Sequence, residues 1–133
     1  MGMGLTVTSG VMATLLAEAE RAAPQECCGL LLGEGDTIRE ARSAANIAAD
    51  PRRRFEIDPI ALIAAHRAAR SGGANVIGYY HSHPTGNPQP SATDRARGNA
   101  DGTVWAIIAS DDILFWRDGA EGFAALSYSV EDG

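Results

Sequence analysis

The apolar run Val76-Ile77-Gly78-Tyr79-Tyr80 leads straight into His81-Ser82-His83, which holds two of the chain's three histidines. This spacing constrains the local structure more than any other feature. Alternate residues of an extended strand share one face. His81 and His83 can therefore aim both imidazoles at a single point if the strand runs through them. A loop stiffened by Pro84, Pro88 and Pro90 follows, and Ser91 then starts a short helix to about Gly98. Across that loop Asp94 can return a carboxylate oxygen to the histidines. Two His and one Asp form a three-ligand set for a single Zn2+ ion, with a fourth position left open, as a catalytic rather than a structural zinc requires.

The remaining elements read as a mixed sheet flanked by helices, an α+β arrangement. Residues 9–23 form a helix with Ser9 as N-cap, Val11, Met12, Leu15, Leu16 and Ala19 at helical spacing, and Pro24 as its stop. Residues 27–32 are a continuous apolar run, as in a strand buried on both faces. Gly33 to Asp36 makes a turn, and residues 37–45 return as a strand. A connector follows with Arg52, Arg53 and Arg54, ending in the short strand Phe55-Glu56-Ile57. Asp58-Pro59 opens a second helix that turns Ile60, Ile63, Ala64 and Ala68 to the core and stops at Ser71-Gly72-Gly73. Strands 103–109 and 113–116 pair across Ser110-Asp111-Asp112, and Asp118-Gly119 turns again. Residues 122–130 then form one half-exposed strand with Leu126, Tyr128 and Val130 on one side. A length of 133 residues fits one domain, 1–133, with one core.

Charge and composition narrow the function. A net charge of -6 without a broad basic patch argues against nucleic acid as a partner. No apolar run reaches the ~20 residues of a membrane span, and the N-terminus lacks the basic start and apolar middle of a signal peptide. The expected location is cytoplasmic. Cys27 and Cys28 are adjacent, cannot easily bridge each other, and read as small buried hydrophobes at a strand start. All eleven basic residues are Arg, so the chain offers no Lys side chain for isopeptide tagging. His66 reads as a partly exposed helix residue, and Tyr79 and Tyr80 as packing residues on opposite faces of their strand.

A zinc hydrolase also needs a carboxylate outside the ligand set to take a proton from water. Most of the seventeen acids should be solvated surface charges. Glu26 differs in position, because it sits at the mouth of the buried run 27–32 and can be held near a neighbouring strand's histidines. Ser91 and Asp94 also resemble a helix-capping pair. Ser91 can cap the helix and still present its hydroxyl to a developing oxyanion. The H-E-x-x-H and deaminase H-x-E…P-C-x-x-C zinc patterns are absent, as are the nucleophile-elbow and phosphate-loop motifs.

His81-x-His83, seven residues, Ser91, two residues, Asp94 matches the motif of the JAMM/MPN-type zinc metallopeptidases. Residues 24–33, Pro-Gln-Glu-Cys-Cys-Gly-Leu-Leu-Leu-Gly, resemble the segment carrying that family's catalytic Glu. The likeness extends to residues 55–59 and 78–84 and covers roughly 9–130, with no motif position substituted. It implies a curved mixed sheet similar to that of cytidine deaminases. It also implies that His81, His83 and Asp94 bind zinc, Glu26 acts as general base and then acid, and Ser91 stabilises the tetrahedral intermediate. The implied reaction is hydrolysis of an amide or isopeptide bond after the C-terminal Gly of a ubiquitin-like protein. The short chain looks most like the compact prokaryotic branch, including the Mec-like type that acts on sulfur-carrier proteins and releases cysteine from a Gly-Gly terminus.

A Gly-Gly tail suits such a site, because glycine lets a backbone approach a metal closely. Residues 53–57 are the expected edge for that tail to pair with. Arg53, Arg54, Phe55 and Ile57 are therefore the expected substrate-binding residues. Arg52 to Arg54 either attract an acidic carrier or form a solvated charge run. Two other readings stand beside this one: a zinc-containing module that binds ubiquitin-like tails without cleaving them, and a JAMM peptidase acting on an unrelated peptide. Exposed apolar edges leave room for a homodimer.

Overall fold

A four-residue strand that the sequence pattern does not announce, β1 (Leu5–Thr8), precedes the first helix, α1 (Ser9–Ala22), in a computed structural model that describes residues 4–133. The cap of α1 is Thr8 rather than Ser9: the Thr8 hydroxyl accepts from the Val11 N–H at 3.2 Å, and Ser9 is already helical. β2 (Cys28–Glu34) and β3 (Thr37–Ala44) form a hairpin whose turn is Gly35-Asp36. Gly33 and Glu34 thus belong to β2 instead of the turn, and Gly35 takes a positive φ of 59°. α2 (Pro59–Arg70) leads to β4 (Asn75–Ser82), α3 (Ala92–Arg97), β5 (Val104–Ala109) and β6 (Asp112–Gly119).

The expected strand over 122–130 is broken at Ser127 into β7 (Gly122–Leu126) and β8 (Tyr128–Glu131). The turn before it lies at residues 120–121, because Asp118 and Gly119 continue β6. The eight strands among the described residues form one mixed sheet in the order β7-β6-β5-β4-β2-β3-β1-β8. β7 and β8 adjoin in sequence yet lie at opposite ends of that order. The sheet must therefore curl until its ends meet near Ser127, whose carbonyl accepts from the Leu5 N–H at 2.9 Å.

Alternation along the strands builds two cores. Leu31 and Tyr80 face α1 and join Val7, Leu15, Ile108 and Phe115. Leu30 and Leu32 face α2 and meet Leu62, Ala65 and Tyr79. This two-sided burial explains the unbroken apolar run of β2, in which each fully buried Leu contributes about 1.5–3 kcal/mol. The inward face of α2 is not the expected one. Ala65 is buried and Leu62 partly so, whereas Ile60 and Ile63 are 75% and 53% exposed and Ala64 and Ala68 are exposed. The helix is apolar around most of its girth, so two stripes satisfy helical spacing and the bulk of Leu62 fills the space beside Tyr79.

Parallel pairing of β4 and β5 sets Tyr79 beside Trp105 and His81 beside Ile107. The pair fits closely because residue 78 is glycine: a Cβ there would run into the Val104 carbonyl. The segment 55–57 is not a strand. Only an isolated antiparallel bridge joins Ile57 to Asn46, because the Asn46 side chain takes the pairing role a second strand would have had. Leu126 and Tyr128 do pack on the core, whereas Val130 is 53% exposed. No helix among the described residues is long and apolar enough to cross a membrane.

Candidate metal centre

Strand alternation places Tyr79 and His81 on the α2 side of β4. His83 lies one residue beyond the strand, held by its N–H to the Ile108 carbonyl at 2.7 Å. Extended geometry therefore persists far enough for both imidazoles to converge, with their Nε2 atoms 3.1 Å apart. The proline-rich loop is tied down twice. His83 Nδ1 donates to the Asn87 carbonyl at 2.7 Å, and the Trp116 indole donates to the Pro88 carbonyl at 3.0 Å. The first bond leaves the lone pair of His83 Nε2 facing inward.

Asp94 reaches the same point from the first turn of α3. Its Oδ2 lies 3.1 Å from His81 Nε2 and 3.0 Å from His83 Nε2. Ser91 and Asp94 also form a complete capping box. The Asp94 N–H donates to Ser91 Oγ, and the Ser91 N–H donates to Asp94 Oδ2, each at 3.0 Å. Capping and ligation are thus not alternatives: the cap orients the carboxylate oxygen that meets the histidines. Ser91 Oγ accepts in the box and keeps its own proton free to donate.

Donors around a four-coordinate zinc at ~2.0–2.1 Å stand about 3.3 Å from one another. Two imidazole nitrogens and one carboxylate oxygen, converged at 3.0–3.1 Å, fit that donor set and spacing. Burial disfavours ionisation of Asp94, but hydrogen bonds from His81 and His83 outweigh it and hold the carboxyl far below the usual range. Burial pushes His81 down, toward the neutral imidazole a metal needs. Burial also opposes charging of His83, yet its bonds to Asp94 and Asn87 raise it overall.

Glu26 stands at the mouth of β2 and is only 6% exposed. Its N–H donates to the Pro51 carbonyl at 2.7 Å, and the next N–H, of Cys27, donates to Ser82 Oγ at 2.8 Å. These bonds fix the backbone, but Oε1 of the carboxyl has no hydrogen-bond partner among the described residues. Desolvation pushes the Glu26 carboxyl up to about 7, aided by the charge of Asp94 and countered by His83 and Arg97. A carboxyl balanced near neutrality beside a ligand cluster has the properties of a proton-transfer group.

Of the residues expected to bind substrate, Phe55 comes closest to the centre. Its ring stacks on His81 with centroids 4.2 Å apart and planes 19° apart, and Trp105 meets both rings edge-on. Ile57 is half-buried and, with Phe55, Leu62, Tyr79, Arg97 and Trp105, lines a cavity of about 280 Å³ beside the site. Arg53 and Arg54 point to solvent, Arg53 toward Asp50 at 3.7 Å. Cys27 and Cys28 are buried, and burial pushes both thiols up, that of Cys28 to about 12.

Two contributors give no sequence signal. Asn46 donates to the carbonyls of Glu26 and Arg54 and accepts from the Ala48 and Glu56 N–H groups, clamping the strand mouth to the 54–57 segment. Arg97, one helical turn after Asp94, donates to the Phe55 carbonyl and lies over the Phe55 ring at 5.2 Å.

Residues 8–119 match the family described as prokaryotic homologues of the JAB domain. A desampylase of Haloferax volcanii is 35% identical over 134 aligned residues, covering 96% of each chain. A probable TtuB-protein conjugate cleaving protease of Thermus thermophilus is 29% identical, over 92% of this chain and 76% of that protein. Among solved structures, protein DSY2949 of Desulfitobacterium hafniense superposes with a TM-score of 0.84 at 26% identity, covering 97% of this chain and 94% of that one. The expected curved mixed sheet of the JAMM/MPN fold is the one observed.

Proposed function

The chain belongs to the family of prokaryotic homologues of the JAB domain, and on that footing we propose that it is a zinc-dependent isopeptidase that releases a ubiquitin-like protein from its conjugates. One observation carries the reading. Candidate ligand atoms of His81, His83 and Asp94 converge beside a buried carboxyl, Glu26, whose Oε1 has no hydrogen-bond partner among the described residues. The names of the relatives, a desampylase and a conjugate-cleaving protease, support the substrate class.

His81 Nε2, His83 Nε2 and Asp94 Oδ2 would hold the ion. When bound, zinc supplies Lewis-acid polarisation of the scissile carbonyl and acidifies water. Glu26 Oε1 accepts the proton of the attacking water and passes it to the leaving amine. The Ser91 hydroxyl donates to the oxyanion that develops on the carbonyl oxygen. Glu26 is suited to both halves of its task because a carboxyl balanced near 7 can take and give a proton at neutral pH.

The substrate's tail meets residues 55–57. The bridge to Asn46 uses the Glu56 carbonyl and leaves the N–H and C=O of Ile57 facing the other way, without a hydrogen bond to another described residue. An extended Gly-Gly tail can pair with them, narrow enough to pass Phe55 and reach the ligand atoms. Exposed Arg53 and Arg54 draw an acidic carrier toward that edge. Within this class we favour a sulfur-carrier protein of the cytoplasm, with residues 1–133 working as one catalytic domain.

The test is incubation of the zinc-loaded protein with a carrier–protein conjugate and with a carrier–cysteine adduct, followed by mass measurement. Release of the free Gly-Gly carrier, lost in Glu26→Ala with zinc still bound, is the expected result. Cleavage of the adduct alone would make cysteine the leaving group. Binding of both conjugates without cleavage would reduce the domain to a tail-binding module and refute the hydrolase.

A further inference from the structure

We propose that Arg97 is a positioning residue for the metal centre, acting through Phe55 on the ring of His81. The inference rests on the metal-binding reading above and adds to it the means by which one ligand is held. A metal-ligating histidine usually donates its second ring N–H to a carboxylate, carbonyl or water, and that bond fixes tautomer and ring orientation. His83 follows the rule through Nδ1 and the Asn87 carbonyl. His81 does not. Its Nδ1 is fully buried and has no hydrogen-bond partner among the described residues.

Rings take over that role for His81. Phe55 covers its face at 4.2 Å and 19°, and Trp105 stands edge-on at 5.6 Å and 85°. Trp105 is anchored in β5, an interior strand paired on both sides, and needs no further support. Phe55 is anchored in nothing comparable. It lies in irregular backbone, two residues from an isolated bridge. Its position is set by packing and by Arg97, which grips it twice. The guanidinium donates to the Phe55 carbonyl and lies over the ring at 5.2 Å, within the range of a cation–π contact.

The arrangement is economical in sequence. Asp94 and Arg97 are three residues apart on α3 and so share a helix face. One short helix delivers both the proposed ligand carboxylate and the clamp on Phe55.

The experiment compares the wild type with Arg97→Ala, Arg97→Lys, Phe55→Leu and the Phe55→Leu/Arg97→Ala double variant. It reads zinc affinity by competition with a chromophoric chelator and the visible absorption of the Co2+-loaded proteins. Arg97 is exposed, so its truncation leaves the core in place. Arg97→Ala should weaken zinc binding about tenfold, in the range for residues supporting metal ligands, and alter the Co2+ bands. Arg97→Lys, which keeps a cation over the ring, should recover part of the loss. In the Phe55→Leu background Arg97→Ala should add nothing. Wild-type zinc affinity and an unchanged Co2+ spectrum in Arg97→Ala would overturn the proposal, as would fully additive effects of the two substitutions. Failure of the wild type itself to take up one zinc would overturn the metal reading, and this inference with it.

Discussion

Replacing Glu26 by Gln should make the metal-free protein more stable at neutral and alkaline pH. The carboxyl is pushed from its ordinary 4.5 up to about 7 by burial. Such a displacement is worth about 3 kcal/mol, on the scale of roughly 1.4 kcal/mol per pH unit. The sign follows from proton binding. Between pH 4.5 and about 7 the folded state holds the Glu26 proton more tightly than the unfolded chain, so stability falls as pH rises through that window. Below it both states are protonated and the cost vanishes. Gln has nearly the same shape and never ionises. Its amide, lacking a partner, returns about 1 kcal/mol of the gain, leaving about 2 kcal/mol at pH 8. For a chain of this size that corresponds to a rise in Tm of roughly 6 °C. The assay is thermal or urea unfolding of both proteins in excess chelator at pH 4, 6 and 8; groups not coupled to Glu26 cancel in the difference. The Gln variant should be the less stable by about 1 kcal/mol at pH 4, where only its unpaired amide counts, and should overtake the wild type as the pH rises. Equal stability at pH 8 would refute the buried-carboxyl argument, and with it the physical basis for Glu26 as a proton carrier.

Other outcomes follow from the same geometry. Asp94→Asn should cost most of the zinc affinity, measured by metal content after gel filtration, and should leave cleavage undetectable. Ser91→Ala should lower kcat by about 100–1,000-fold and lower stability by about 1 kcal/mol through the lost helix cap. Ser91→Asp, which caps a helix but has no hydroxyl proton to give, should restore the stability without restoring kcat, separating the two roles. Replacing Arg52, Arg53 and Arg54 together by Ala should raise KM for an acidic carrier conjugate at low salt; an unchanged KM would end the steering idea and leave a solvated charge run.

The convergence of His81, His83 and Asp94 is legible in the sequence because each part of it is a local pattern. Strand period places His81 and His83, and a capping box places Asp94. Glu26 was weaker in the residues alone, since its distinction is burial, which one Glu among seventeen acids does not advertise. Asn46 and Arg97 were invisible for a related reason. They act on backbone carbonyls and a ring far away in sequence, and neither partner leaves a trace in local periodicity. The face of α2 was misread because alanine dilutes the pattern. With Ala61, Ala64, Ala65, Ala68 and Ala69 in one helix, either stripe passes as apolar, and only the shape of the sheet below selects Leu62 and Ala65. The break at Ser127 was missed because alternation survives across it while the chain crosses from one sheet end to the other.

That crossing has a consequence for the order in which the molecule is made. β8 pairs in parallel with β1, from Leu5 opposite Tyr128 to Thr8 opposite Glu131, so nearly the whole chain separates the two partners. Such a pair must form late, since it needs the longest loop to close. Glu26, His81, His83 and Asp94 all leave the ribosome before residue 128 does. A nascent chain therefore holds every proposed ligand and the base while β1 still lacks its outer partner.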